Sequence, residues 1–419
     1  MKNKFLPLFI AMFLASTIVF SQGKCGTYEG SFEEQVQKYP EFYQGLEKQN
    51  KELEAEHKEA LKKLVVHKTE GGKKIIPVVV HVIHDMGEEN ISATDIQAAL
   101  DALNKNINGQ SDKFLNQLAG NPLTPDIFAS VRGVANVEFR LAKIAPNGTP
   151  TTGIIRVQSE LTNRPENNNS IKTLSYWNSY QYLNIWTLKA FNPQDDGGTL
   201  LGFAQFPWEE GDFPPSMSTD GVALLAGEMD DINSTTLTHE VGHWLGLRHI
   251  WGDTECGDDE VKDTPVQRYS NGFGDNPGPF PTPATFPYHV GLWNGGAWGC
   301  QADSLNPAGE MFMNYMDYTN DNYVTMFSAG QIERVNTFLD GEIDEETGLS
   351  GIGYREYMWS AENIDSTGTS DGYINLDDNC NTKYDFSEKS NVTHVCLGTV
   401  SRFRSNSNAL ALNVTSASW

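Results

Sequence analysis

Residues 238–253 read THEVGHWLGLRHIWGD, and within them His239, Glu240, His243, Gly246 and His249 form an H-E-x-x-H-x-x-G-x-x-H array. On a helix, His239 and His243 share one face a turn apart. Gly246 lets the backbone swing away, and His249 returns as a third imidazole. Three neutral nitrogens with an open fourth position describe a catalytic zinc site. Glu240 shares the helical turn, so its carboxylate suits a general base that takes a proton from water and passes it to a leaving amine. The reaction implied is peptide-bond hydrolysis. Two histidines at i, i+4 are commonly just partners of backbone groups, but the five-point pattern is far stricter. A structural zinc would close its shell with a fourth ligand, often Cys, and none lies nearby in the chain.

The array resembles the metzincin clan of metalloproteases, in which it is followed by a turn bearing methionine. Met316, inside MFMNYMDYTND, is the candidate. Taken alone it reads as an ordinary core methionine. Its setting in N-Y-M-D-Y is similar to the pappalysin family, as are D-x-V-x-D-T-P at Asp259–Pro265 and M-F-S-x-G-Q from Met326. The resemblance covers roughly Lys74 to Asp340, with dense motifs from Thr238 to Gln331. It implies that Met316 floors the metal site without ligating it, and that the Tyr318 hydroxyl hydrogen-bonds the oxyanion of the tetrahedral intermediate. It also implies a calcium ion held by Asp259, Thr264 and the carbonyl of Lys262, where the plain reading is a solvated acidic loop. The implied fold is α+β. A twisted mixed sheet with helices forms the upper subdomain, the lower subdomain is irregular, zinc sits in the cleft between them, and the catalytic domain covers residues 73–345.

Pappalysin-like zymogens can carry a C-G motif near the mature N-terminus, and Cys25-Gly26-Thr27 looks like it. A thiolate there would take the fourth zinc position and exclude the hydrolytic water, making residues 23–72 an inhibitory propeptide. The other reading of Cys25 is a free or lipidated thiol. Ahead of it, Lys2 and Lys4 precede an apolar run from Phe5 to Phe20, so residues 1–22 read as a signal peptide. Lys24 stands where a lipidation signal wants a small residue, which favours soluble secretion.

The 419 residues carry 55 acidic and 30 basic side chains, a formal charge of −25. Such a surface repels phosphate backbones, which argues against nucleic-acid binding. No other run of about 18 apolar residues suggests a membrane span. Residues 31–64 form a polar helical region, docked rather than self-sufficient. After the Gly-rich, basic stretch HKTEGGKK, the β-branched run IIPVVVHVIHD reads as a buried strand. A helix follows from about Thr94 to Ile107, capped by Ser92 or Thr94. Strand-like pieces are Val137–Ile144, Ile154–Val157, Tyr182–Leu188, Leu200–Phe206 and Val222–Leu225. His81 and His84, in the first strand, read as structural, because the zinc already has three ligands.

Residues 271–299 are dense in Gly, Pro and aromatics and should be irregular. Cys256 and Cys300 bracket them and suit a disulfide in an oxidising compartment, with Cys380 and Cys396 as a second bridge in the tail. Residues 346–419 suggest an accessory β module, a secretion signal or a partly disordered tail. The chain therefore reads as a secreted zinc metalloendopeptidase acting on protein or peptide substrates and made as a zymogen. The alternative is a metal-stabilised adhesin or binding module without catalysis. Relatives often favour a basic residue after the scissile bond, for which Asp317 or Asp321 would supply the pocket charge.

Overall fold

The computed structural model describes residues 24–27, 36–63, 72–117, 124–192, 199–207, 217–271, 309–340, 355–373, 400–405 and 408–413. Its centre is a seven-stranded mixed sheet. The strands are β1 (Lys24–Cys25), β2 (Lys74–His84), β3 (Val137–Leu141), β4 (Ile154–Gln158), β5 (Leu183–Leu188), β6 (Leu200–Ala204) and β7 (Val222–Leu225). The order is β1-β6-β7-β5-β2-β3, with β4 also on β2.

β2 holds this arrangement together because eleven residues are long enough to serve two neighbours along one edge. Its first half pairs in parallel with β3, from Lys74 against Val137 to Val78 against Leu141. Its second half pairs in parallel with β4, from Val80 against Ile154 to His84 against Gln158. On the other edge it meets β5, also in parallel. Every residue of β2 after Lys74 is buried, which accounts for an unbroken β-branched run in place of alternation. The strand-like pieces read from sequence fall on β3 to β7, each ending within three residues of expectation.

Helix α1 (Pro40–Lys63) lies in the polar region expected to be helical. It docks on the upper body: Tyr39 Oη donates to Glu166 O at 2.7 Å, Asn169 Nδ2 donates to Tyr43 Oη at 2.7 Å, and Asn50 Oδ1 accepts from Ser218 N at 3.0 Å. Helix α2 (Ala93–Ile107) begins at Ser92 with a capping box, Ser92 accepting from Asp95 N and Asp95 reaching back to the Ser92 backbone. It buries Ile96, Leu100, Leu103 and Ile107 against the core. At its last turn Asn106 Nδ2 donates to Thr238 Oγ1 at 2.9 Å, tying α2 to α3 (Thr236–Trp244), the helix of the histidine array.

Helix α4 (Ala329–Asp340) and α5 (Ala361–Ser366) complete the body. Residues 355–373, which follow the expected catalytic domain, pack into the same core. Arg355 forms a buried bidentate pair with Asp220, and its guanidinium lies 4.0 Å above the Trp244 ring of α3. Met358 joins the main hydrophobic cluster, and Trp359 Nε1 donates to Leu339 O at 2.7 Å. A cation paired across a hundred residues leaves no local pattern in the chain. Farther on, β8 (Val400–Ser405) and β9 (Asn408–Asn413) form an antiparallel hairpin. Among the described residues, no helix is long and apolar enough to cross a membrane. Of residues 271–299, expected to be irregular, all but Asn271 lie outside the described residues.

Candidate active site

α3 is buried from Leu237 to Trp244, so both of its array histidines are presented from within the core. The helix ends at Leu245. Gly246 adopts φ +92°, and a Cβ there would stand 2.2 Å from the Phe338 ring. The backbone turn at this position therefore requires glycine. It returns the chain so that the Nε2 atoms of His239, His243 and His249 form a triangle with sides of 3.1 to 3.2 Å. Nitrogens held about 2.0–2.1 Å from a tetrahedral zinc stand about 3.3 Å apart, so this set fits the ion.

Each imidazole is oriented by its other nitrogen. His239 Nδ1 donates to Tyr315 O at 2.6 Å, His243 Nδ1 donates to Leu247 O at 2.7 Å, and His249 Nδ1 faces Asp253 Oδ1. These partners leave the Nε2 lone pairs free to bind a metal. Burial, together with the neighbouring His249, pushes His239 down to about 3, and burial holds His243 well below its usual range. Both are therefore neutral, the state a metal ligand needs. The Trp251 ring stacks on His249 at 4.3 Å and fixes its plane.

Cys25 adds the fourth donor. Its sulfur and the three imidazoles form a cluster whose ligand atoms all lie within 4.8 Å of one another. The thiol arrives on β1, which runs parallel to the edge strand β6 with Cys25 against Gly202, while Gly26 N donates to Gly202 O at 2.8 Å. Burial and the adjacent Glu240 raise the Cys25 thiol. Glu240 is buried directly behind the cluster, and burial lifts its carboxyl to about 8. Its Oε2 accepts from Cys25 Sγ at 3.3 Å and lies 3.2 Å from Thr27 Oγ1, while Oε1 has no hydrogen-bond partner.

Tyr318 stands beside the imidazoles, its ring centroid 4.9 Å from His249 and 5.7 Å from His239. Its hydroxyl donates to Cys25 O at 3.3 Å. Met316 is fully buried beneath α3, where a Cβ on Gly242 would meet its sulfur at 2.5 Å. The absence of a side chain at Gly242 is what lets the methionine reach the underside of the histidine helix.

Residues 166–340 match the family described as pregnancy-associated plasma protein-A, peptidase M43. Mature mirolysin of Tannerella forsythia, solved with a cleaved peptide, shares 33% identity over 71% of this chain and 98% of its own, with a TM-score of 0.54. The chain belongs to the pappalysin family of metalloproteases. A mutant promirolysin of the same organism aligns over 82% of this chain and 99% of its own, at 31% identity and TM-score 0.56. Extracellular metalloproteases of Colletotrichum graminicola and Verticillium alfalfae are each 31% identical, over 34% and 48% of this chain. The matches cover 46% and 61% of those two relatives. The fold is the α+β arrangement of mirolysin.

In this pappalysin, Asp259 and Thr264 meet, with Thr264 Oγ1 at 2.8 and 2.9 Å from the two carboxylate oxygens. Thr264 Oγ1 also donates toward the carbonyl of Val261 at 2.8 Å. Burial raises the Asp259 carboxyl to about 7. Asp317 is not a pocket charge. It is buried and accepts from Gln267 Nε2, Asn271 N, Asn271 Nδ2 and Tyr318 N, which shapes the loop that carries Tyr318. Asp321 sits at the start of α3, where its Oδ1 accepts from Thr235 N at 3.0 Å and from the Thr235 hydroxyl.

His81, expected to be structural, bonds Ser175 Oγ and Asn184 Oδ1, both at 2.9 Å, and His84 accepts from Met86 N. Cys256 takes φ +58° and donates its N–H to Arg268 O at 3.0 Å. Cys300, Cys380 and Cys396 lie outside the described residues, and both expected bridges with them. Sequence reasoning missed Thr27, Asp253 and Arg355. Asp253 was readable in principle, since it falls four residues after His249. Thr27 and Arg355 act across long separations that no spacing encodes.

Proposed function

We propose that this chain is a secreted zinc metalloendopeptidase, made as a zymogen, that hydrolyses peptide bonds in protein or peptide substrates. The observation that carries this reading is the Nε2 triangle with the Glu240 carboxylate buried beside it. When bound by His239, His243 and His249, zinc would act as a Lewis acid that polarises the scissile carbonyl and acidifies water. Glu240 takes the proton released in attack and delivers it to the leaving amine. Its burial one residue after His239 keeps the carboxyl beside the imidazoles, where that proton is released. Tyr318 donates its hydroxyl to the developing oxyanion. It already donates to a backbone carbonyl at this place, that of Cys25. Met316 supports the helix from below, and β6 offers an edge on which an extended substrate backbone pairs.

In the precursor, residues 1–22 direct export and residues 23–72 form the inhibitor, with the Cys25 thiol in the fourth ligand position. Support for export comes from relatives named as extracellular metalloproteases. Calcium at Asp259 and Thr264 completes the reading, since a cation there would hold ionised a carboxylate that burial otherwise favours protonating. Zinc-loaded protein beginning near residue 73 should cleave a fluorogenic peptide library and stop when 1,10-phenanthroline is added. Chelator-insensitive cleavage, or none from folded zinc-loaded protein, would overturn the proposal and leave a binding module. Calcium-selective chelation by EGTA should lower the melting temperature without removing zinc.

A further inference from the structure

Cys25 accounts for only part of what the N-terminal segment does to the site. Two residues on, Thr27 is buried, and its hydroxyl lies 3.2 Å from Glu240 Oε2. The same oxygen accepts from Ala204 N at 2.6 Å and stands 3.1 Å from Ala204 O. Thr27 is therefore stitched to the edge strand by its side chain, in the direction β1 was already running. A hydroxyl has one hydrogen to give. Of its two possible acceptors here, the Glu240 carboxylate is the stronger when ionised. Among the described residues the other carboxylate oxygen has no partner, so Glu240 is held at Oε2, and both groups that hold it there belong to residues 25–27.

We infer that Thr27 is a second element of latency, which occupies the general base Glu240 while Cys25 occupies the fourth ligand position. This rests on the zymogen reading above and goes beyond it by assigning the blockade to two chemically separate contacts. The segment engages every part of the machinery, and Glu240 from both Cys25 and Thr27. The Cys25 sulfur faces the imidazoles, the Cys25 carbonyl takes the Tyr318 hydroxyl, and the Thr27 hydroxyl takes Glu240. The consequence is that removing the thiol alone does not free the base. Thr27 also keeps the plug seated on β6, so its loss exposes Cys25.

The test compares intact precursors carrying Thr27→Val, Cys25→Ala and both, by initial rate on a fluorogenic peptide before any processing is visible on a gel. Valine keeps the branched shape and removes the hydroxyl. Thr27→Val should raise precursor activity about tenfold or more, the scale of a lost hydrogen bond to a charged group. It should raise it again on the Cys25→Ala background. The second readout needs no catalysis. The alkylation rate of Cys25 in the intact precursor, localised by mass spectrometry, should rise several-fold with Thr27→Val when Glu240 is present and much less when Glu240 is alanine. Thr27→Val that changes neither readout overturns the assignment, as does an equal effect on alkylation in both Glu240 backgrounds, which would leave Thr27 a mere anchor to β6. Failure of the peptidase reading looks different. Mature enzyme would then be inert while the Thr27–Glu240 coupling in alkylation persisted.

Discussion

In the proposed mechanism Glu240 and Tyr318 divide between them the work that the histidines do not do, and single-atom changes test their roles. Glu240→Gln keeps the shape and the helix but cannot accept a proton, so zinc content and melting temperature should hold while turnover falls by several orders of magnitude. Near wild-type turnover in that variant would count against Glu240 as the base. Tyr318→Phe retains the ring packed on His249 and Trp251 and deletes only the hydroxyl. A loss of about 2 to 4 kcal/mol in transition-state stabilisation is expected, with zinc retained, as for other oxyanion donors. Unchanged kcat/KM would make the tyrosine a packing residue. At this scale the sequence spoke clearly about His239, His243, His249 and Glu240, because helical spacing fixes their relation. It was silent on Thr27, whose partner lies 213 positions away.

Among the elements, α1 docks through a seat that contains a titratable group. His57 is buried and stacks on Tyr180 at 5.5 Å, while the Tyr180 hydroxyl donates to Glu56 Oε2 at 3.2 Å. Burial, with Arg355 and Lys58 close by, pushes the His57 imidazole down to about 4. Once undocked it titrates near 6.5. Docking is therefore at full strength above about pH 6.5, weakens as pH falls toward 4 because the free helix binds a proton that the docked helix refuses, and changes no further below that. The maximum effect is up to about a few hundred-fold in affinity. Titrating release of the cleaved propeptide from Glu240→Ala enzyme should show this window, and His57→Phe, which preserves stacking, should flatten it. A pH profile identical in both would remove His57 from the seat. The helix itself was legible as a polar, docked region. Its partners were not, because an amphipathic face tells that something is covered and not what covers it.

The whole molecule is closed by a segment that the chain's pattern assigned to the tail. Arg355 reaches back to Asp220 and over Trp244, and Met358 fills the main core beneath the sheet. A mature protein truncated after residue 345 should unfold at markedly lower temperature than one ending after residue 373, because it leaves Asp220 buried without its cation, a loss of about 3–5 kcal/mol in comparable cases. Equal melting temperatures would place residues 355–373 outside the folding unit.

What the sequence determined by itself is the local geometry. The array dictates three converging imidazoles, the glycine after them dictates the turn, and the β-branched run dictates a buried strand. These follow from neighbours within a few turns of chain, whose relative positions backbone geometry fixes. Only the tertiary structure decided that β1 lies parallel to β6, that Thr27 reaches Glu240, that Asp317 serves its own loop and not a substrate, and that Arg355 belongs to the core. Each of these joins groups far apart along the chain. Their meeting depends on how the whole chain packs, and no residue spacing records it.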